Sequence, residues 1–160
     1  MSIDYDGVWA RVTAPPGTAR RPGPPPKPQR DRCGELERFM DREEEITALY
    51  GRLRRGTRDA VARRVLSDGG ASSRERLKRL RTEYFLRCGG NYRPAPPRPV
   101  FGGFGRGLRT LYDRERDISN DYARFADRTE GRDARFFRRL SDGAAERAEA
   151  VKRLAERLMK

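Results

Sequence analysis

Two glutamates at matching places in two helix-like segments are the residues of this sequence best placed to do chemistry. Glu43 and Glu115 each stand three residues before an isoleucine and seven before a tyrosine, Tyr50 or Tyr122. The other members of the two stripes are apolar, namely Leu36, Phe39, Ile46 and Leu53, and Leu108, Leu111, Ile118 and Phe125. A carboxylate on a buried helix face is costly unless it is paired, protonated or bound to a metal. Glu43 and Glu115 are therefore the residual candidate ligands of a metal site.

The composition removes most other chemistry. The 160 residues include no histidine, which excludes Ser-His-Asp and Cys-His catalysis, HExxH metalloprotease sites and every histidine-ligated metal site. No catalytic residue is predicted. The length fits one domain, and the hydrophobic fraction of 35% is low unless part of the chain lies outside the core.

The two segments belong to an internal repeat. Residues 40–50 (MDREEEITALY) align without gaps on 112–122 (YDRERDISNDY). Further along, Leu-Ser-Asp and Lys-Arg-Leu recur in both copies after two extra residues, which fall in a turn near 129–133. A repeat whose length changes only in a turn indicates two copies of one helix hairpin.

Apolar residues spaced by three and four predict one more helix in each copy. The second helix presents Leu66, Gly70, Ser73, Leu77, Leu80 and Tyr84, and the fourth presents Phe137, Leu140, Ala144, Arg147, Val151, Leu154 and Leu158. Four amphipathic helices predict an all-α, antiparallel four-helix bundle. Gly69 and Gly70 each weaken the second helix by about 1 kcal/mol relative to alanine, so a kink or a non-helical turn is expected there.

Proline-rich stretches divide the chain. Residues 14–30 hold seven of the eleven prolines, which favours extended backbone and predicts a Pro-rich N-terminal arm over residues 1–34. The bundle is expected over residues 35–160, with hairpins at 35–87 and 108–160 and a linker at 88–107. The linker is long enough to run back along the bundle as a crossover, which distinguishes this arrangement from an up-down-up-down bundle.

Over residues 35–160 the chain resembles the ferritin-like, rubrerythrin-like family of small bacterial proteins. The resemblance rests on the Glu-x6-Tyr pattern at Glu43 and Glu115, on the two-hairpin repeat, and on the segments LSDGGASSRERLKRLRTEYF and LSDGAAERAEAVKRL. It implies a ferritin-like fold and two irons, held by one glutamate from each of two helices and a Glu-x-x-His motif from each of the other two. Oxidase, peroxidase or iron-storage activity is what the resemblance implies.

The Glu-x-x-His motifs of that family are replaced in this chain. The resemblance places their glutamates at Gly70 and Ala144 and their histidines at Ser73 and Arg147. Two surviving carboxylates cannot supply the six or so ligands of a di-iron site. We therefore predict a degenerate site with no cofactor and no enzymatic activity, as in a pseudoenzyme.

A core polar network is expected in place of the metal, comprising Glu43, Tyr50, Glu115, Tyr122 and Arg147. The guanidinium of Arg147 should lie near the two glutamates and balance their charge. One glutamate should then have a raised pKa or accept hydrogen bonds from the tyrosines or from Ser73. The alternative is that Arg147 reaches solvent and each glutamate is partly hydrated.

Charge and cysteine content bear on partners and compartment. Thirty-seven lysines and arginines against 24 acidic residues give a net charge of +13, and only four of the basic residues are lysines. Arginine suits phosphate contact, whereas a solvated surface or coding bias gives the same excess. Cys33 and Cys88 are expected as free thiols in the cytoplasm, with a disulfide as the alternative. No segment is apolar enough for a membrane span.

Three functions follow from these observations. The leading one is a rubrerythrin-related protein that has lost its di-iron site and serves as a scaffold or interaction protein. It would act as a homo-oligomer or through a protein partner bound by the segment around Trp9. The first alternative is a basic DNA-binding module resembling the mini-ferritins. The second is a di-iron-type oxidoreductase that uses Glu43 and Glu115 with ligands completed by another chain.

Overall fold

The computed structural model describes residues 27–160, with side chains from residue 31 onward, as four helices. They are α1 (Lys27–Arg55), α2 (Ala60–Cys88), α3 (Phe104–Asp127) and α4 (Gly131–Leu158). No strand occurs within this range, so the prediction of an all-α chain is confirmed. None of these helices has a stretch long and apolar enough to cross a lipid bilayer. The predicted segment around Trp9 lies outside the described residues.

Helix α1 begins earlier than expected. It starts at Lys27, eight residues inside the arm that was predicted to extend to residue 34. Proline is tolerated in the first turn of a helix because its missing N–H has no intrahelical acceptor there, and Pro28 occupies that turn. No proline follows until residue 94, and Cys33 and Leu36 are buried. The added turns therefore contribute to the core.

Cys33 and Cys88 form a disulfide, contrary to the expectation of two free thiols. The bond joins the first part of α1 to the last residue of α2 across a separation of 55 residues. In the chain-entropy description, closing a loop of this size stabilises the fold by about 4 kcal/mol. Sequence spacing gave no sign of the pairing, because the two cysteines meet only through the packing of the hairpin.

Each helix of the bundle packs against two others. Helix α1 packs on α2 and α3, and α4 packs on α3 and α2. Contacts between α1 and α2 occur in opposite order along the two helices, with Cys33 bonded to Cys88, Glu37 to Tyr84 and Tyr50 packed on Gly69. The apolar residues of the predicted stripes are buried, except Tyr84, which is half-buried, and Leu158, which is exposed at the end of α4. The core also contains apolar residues outside those stripes, namely Met40, Leu49, Ala62, Ala126 and Ala148.

An aromatic cluster joins the two hairpins near the start of α1. The ring of Phe39 lies 4.6 Å from that of Tyr122, and the rings of Phe125 and Phe137 meet edge-on at 4.5 Å. Offset and edge-on ring pairs of this kind stabilise a core beyond their buried area. The cluster fixes α1 against α3 and α4 one turn away from Glu43.

The linker between the hairpins follows the surface of α1. Gly89 ends α2 in the left-handed conformation, with φ of 73°. The hydroxyl of Tyr92 donates to Asp41, and Arg52 donates to the carbonyl of Pro99 at 2.8 Å. Residues 89–103 therefore pass alongside α1 from its first half to its last turns, and α3 begins at Phe104 rather than at 108.

Helix α2 continues without interruption through Gly69 and Gly70, where a kink or a non-helical turn was expected. The two glycines accommodate Tyr50. A Cβ at Gly69 would lie 2.1 Å from Cε1 of that ring, and one at Gly70 would lie 3.3 Å from its Cβ. The absence of side chains lets the tyrosine cross α2 at van der Waals distance.

Gly69→Ala and Gly143→Ala form a matched pair of tests, since the two glycines are equivalent in the repeat. We expect Gly69→Ala to destabilise the protein by about 1–3 kcal/mol through overpacking against Tyr50. A Cβ at Gly143 meets nothing within 4 Å, so Gly143→Ala should stabilise the protein by roughly 0.5–1 kcal/mol. Urea unfolding followed by circular dichroism measures both, and equal effects of the two substitutions would contradict the packing described.

Candidate functional site at the centre of the bundle

The two glutamates face each other at the centre of the bundle. Glu43 on α1 and Glu115 on α3 are both 0% exposed. Each lies on the buried stripe of its helix, one turn from an isoleucine that is also buried. Helical periodicity places them there, because every third or fourth residue of either stripe faces the core.

Each tyrosine, two helical turns after the glutamate of its own helix, donates a hydrogen bond to the glutamate of the other helix. Tyr50 of α1 donates to Oε1 of Glu115 at 2.8 Å, and Tyr122 of α3 donates to Oε1 of Glu43 at 2.7 Å. The two hydrogen bonds cross between the helices. The duplicated Glu-x6-Tyr pattern thus produces a pair of equivalent bonds related by the repeat.

The cation that balances the carboxylates is Arg76 of α2. Its Nε donates to Oε1 of Glu43 at 2.6 Å and its Nη2 donates to Oε2 at 3.1 Å, which makes a bidentate pair. The same Nη2 donates to Oε2 of Glu115 at 2.7 Å. Arg76 is only 4% exposed. One planar guanidinium therefore bridges both carboxylates in a dry interior, where charge-assisted hydrogen bonds are strong.

The two carboxylates accept different numbers of hydrogen bonds. Glu43 accepts four hydrogen bonds, two from Arg76, one from Tyr122 and one from the hydroxyl of Ser73 at 2.7 Å. Glu115 accepts two, from Tyr50 and Arg76. A carboxylate offers about four acceptor positions, so the positions of Glu43 are filled and those of Glu115 are not.

The pKa of Glu115 reflects this shortage. The pKa is raised to about 7, because burial and the charge of Glu43 raise it by more than the cation of Arg76 and the hydroxyl of Tyr50 lower it. Two negative charges opposite one positive charge leave a surplus. Protonation of Glu115 removes that surplus near neutral pH.

Arg76 stays positively charged in the cluster, and Tyr50 and Tyr122 stay protonated. Burial lowers the pKa of Arg76, but the charges of Glu43 and Glu115 raise it more, so the net shift is upward and the guanidinium stays charged. Burial and the adjacent carboxylates raise the pKa of Tyr50 and Tyr122 well above the ordinary value. Both phenols therefore remain hydrogen-bond donors.

Arg147 does not occupy the place that was predicted for it. Among the described residues it forms no ion pair, and its Nε is buried with no hydrogen-bond partner. Its charge acts on Tyr50, whose pKa it lowers. The cation that pairs with both glutamates is Arg76 instead.

Sequence analysis missed Arg76, although its position carried a signal. It stands three residues after Ser73 and four before Leu80, both fully buried. A helix buries neighbours at three and four residues on the same face. Arg76 therefore lies on the buried face of α2. It was overlooked because most arginines of this chain are exposed.

The remaining positions assigned to lost ligands divide into two groups. Ser73 faces Glu43 directly, as its 2.7 Å hydrogen bond shows. Gly70 and Ala144 are buried, but Gly70 is packed on the Cβ of Tyr50 rather than on either glutamate. The pair of α2 residues that faces the carboxylates is therefore Ser73 and Arg76, one helical turn later than the pair predicted from the resemblance.

The donor set does not fit a pair of irons. No group of three or more metal-ligating side chains occurs in the part of the chain that the structure describes. The oxygens of Glu43 are engaged by Arg76, Tyr122 and Ser73. Because Glu43 accepts from a guanidinium at 2.6 and 3.1 Å as well as from two hydroxyls, it has no acceptor position left for a metal ion in this arrangement.

Comparison with the patterns of known protein families, with curated proteins and with solved structures found no match to this chain. The functional argument therefore rests on the geometry of the cluster and of the surface.

Replacing Arg76 should be far more damaging than replacing Arg147. We expect Arg76→Met to destabilise the protein by about 3–5 kcal/mol, because it leaves two carboxylates buried without a cation. Arg147→Met removes a group with no ion pair among the described residues and should change stability by less than about 1 kcal/mol. Chemical denaturation of both variants provides the measurement. A larger loss for Arg147→Met would restore the original assignment.

The raised pKa of Glu115 gives stability a defined pH dependence. Between the unfolded value of 4.5 and the folded value of about 7, the unfolded chain loses this proton and the folded chain keeps it. Stability therefore falls as pH rises through that window, by about 3 kcal/mol, and is level above it. Subtracting the same titration of Glu115→Gln isolates the contribution. A difference that is flat or rises from pH 4.5 to 7 would show that Glu115 is ionised in the fold.

Proposed function

We propose that this protein is a ferritin-like bundle that works without metal, as a non-catalytic scaffold or interaction protein. The single observation that carries the proposal is the guanidinium of Arg76 between Glu43 and Glu115. A fixed organic cation now balances the two acids where a ferritin-like protein holds its irons.

The packing supports the ferritin-like part of the proposal. Contacts between α1 and α2 run in opposite directions along the two helices, as in an antiparallel hairpin. The contact of Phe125, near the end of α3, with Phe137, near the start of α4, fits a second antiparallel hairpin. The course of residues 89–103 along α1 fits one long crossover between them. One crossover is the connection that separates ferritin-like bundles from simple up-down bundles.

The repeat supports the loss of the site in both halves. Ser73 and Arg76 face the carboxylates with the three-residue spacing of a Glu-x-x-His motif. Their equivalents in the second copy are Arg147 and Ala150. None of the four residues is a carboxylate or an imidazole, so both copies of the motif lack metal-binding side chains.

Arg76 also weighs against an oxidoreductase completed by another chain. Metal ligands from a second subunit would have to displace a guanidinium that is held by three hydrogen bonds to the two glutamates. Breaking a buried ion pair costs several kcal/mol. A buried charge cluster of this kind instead favours one packing of the four helices over others, which is a structural role.

Grafting the missing ligands tests the proposal. The variant carries Ser73→Glu, Arg76→His, Arg147→Glu and Ala150→His, which restores a complete ligand set around the two native glutamates. We expect it to bind about two Co²⁺ ions per chain, the stoichiometry of a di-iron bundle, with visible ligand-field absorption. The wild-type protein should bind none at the same concentrations.

The register gives the matched control. The same four side-chain types placed one turn earlier, at Gly70, Ser73, Ala144 and Arg147, should not assemble a site, because Gly70 packs on Tyr50. Stoichiometric Co²⁺ binding by the wild-type protein, or iron-dependent oxidase activity from it, would refute a metal-free function. Binding by the control variant alone would move the site to the earlier register.

A further inference from the structure

Four helix ends meet at one end of the bundle, opposite the disulfide. Arg157 near the end of α4 is bonded to Asp59 at the start of α2, with N–O distances of 3.0 and 3.3 Å. A Cβ at Gly107 near the start of α3 would lie 2.6 Å from Leu53 near the end of α1. We call the surface formed by residues 51–64, 102–109 and 152–160 the basic end.

Most of the net charge of the protein lies on the basic end. Its three segments contain twelve basic residues and two acidic ones, against a net charge of +13 for the whole chain. Besides Arg52, which donates to the carbonyl of Pro99, seven of its arginines are exposed and form no ion pair with the described residues. They are Arg54, Arg55, Arg58, Arg63, Arg64, Arg106 and Arg153.

At the opposite end of the bundle most arginines form ion pairs. Six of its arginines are held by acidic partners: Arg32 and Arg87 by Asp133, Arg42 and Arg124 by Asp121, Arg132 by Glu83 and Arg38 by Glu35. Arg93, Arg128 and Arg135 are exposed there and form no ion pair with the described residues. Unpaired arginines therefore occur at both ends, but only at the opposite end do acidic residues balance most of the arginines. The net positive charge is concentrated at the basic end.

Some of the basic charges lie where the fold opposes them. Helices α2 and α3 both begin at this end, and neither has an acidic residue in its first turn. A helix N-terminus carries partial positive charge, so cations such as Arg63 and Arg106 near it are unfavourable by a few tenths of a kcal/mol each. The C-terminal turns of α1 and α4 at the same end favour Arg54, Arg55 and Arg157. Stability therefore leaves unexplained only the arginines near the N-termini of α2 and α3, which an anionic partner explains.

We propose that the basic end binds the sugar-phosphate backbone of duplex DNA. Arginine guanidinium groups bind phosphate oxygens in a bidentate manner. This proposal does not depend on whether the bundle is ferritin-like.

The composition of the basic end favours a duplex over a single strand or a membrane. Its only aromatic residue is Phe104, which is half-buried beside Gly56, so it offers no stacking platform for unpaired bases. It has no asparagine or glutamine to read adenine, and the contacts proposed for its arginines are to phosphates, which carry no sequence information. Its exposed apolar residues, Val61, Leu158 and Met159, do not form the broad apolar face of a membrane-binding helix.

Two triple variants with the same net charge test the proposal. The basic-end variant carries Arg58→Gln, Arg63→Gln and Arg64→Gln. The control carries Arg93→Gln, Arg135→Gln and Arg139→Gln, which are exposed and form no ion pair with the described residues. Fluorescence anisotropy with a labelled duplex of random sequence measures affinity over a range of salt concentrations.

The wild-type protein and the control should bind DNA and lose affinity about a thousandfold between 50 and 200 mM salt. The basic-end variant should bind more weakly, with a salt slope lower in magnitude by about three, one for each phosphate contact removed. Its melting temperature should be unchanged or higher, because three cations no longer oppose the dipole of α2.

Absence of DNA binding by the wild-type protein at 50 mM salt would overturn the proposal, as would equal losses for both variants. Binding of the same variants to phosphatidylserine vesicles tests the alternative that the basic end contacts a membrane. If the difference between the variants appears with vesicles and not with DNA, the basic end is a membrane-contact surface and the DNA proposal is wrong.

Discussion

One guanidinium between two carboxylates is the interaction on which the rest of this structure depends. Arg76 joins α2 to α1 through Glu43 and to α3 through Glu115, so three of the four helices meet at one buried group. Removing two acids from water is expensive, and the attraction to a shared cation offsets that cost only when geometry and hydrogen bonding are good. The crossed tyrosines and Ser73 supply the remaining bonds.

The cluster combines a symmetric part with an asymmetric one. The glutamates and tyrosines are duplicated and interact in equivalent ways, as the repeat requires. Arg76 has no counterpart, because the equivalent residue in the second copy is Ala150. The asymmetry accounts for the unequal environments of the two acids, since α2 supplies Glu43 with donors that α4 does not supply to Glu115. Protonation of Glu115 near neutral pH corrects the imbalance.

The sequence allowed the buried face of the helices to be predicted, because apolar spacing is a local property. Glu43 and Glu115 were recognised as buried for the same reason. Arg76 was missed because its type is common on the surface, and only its neighbours at three and four residues marked it as internal. The disulfide between Cys33 and Cys88 and the uninterrupted course of α2 could not be predicted, since both depend on contacts between residues far apart in sequence.

The most direct test of this account is a crystal structure of the protein grown in iron-supplemented medium, with anomalous diffraction measured at the iron absorption edge. The account predicts planar density for the Arg76 side chain within hydrogen-bond distance of both carboxylates, and no anomalous peak between α1 and α3. An anomalous peak coordinated by Glu43 and Glu115, with Arg76 turned away, would contradict it.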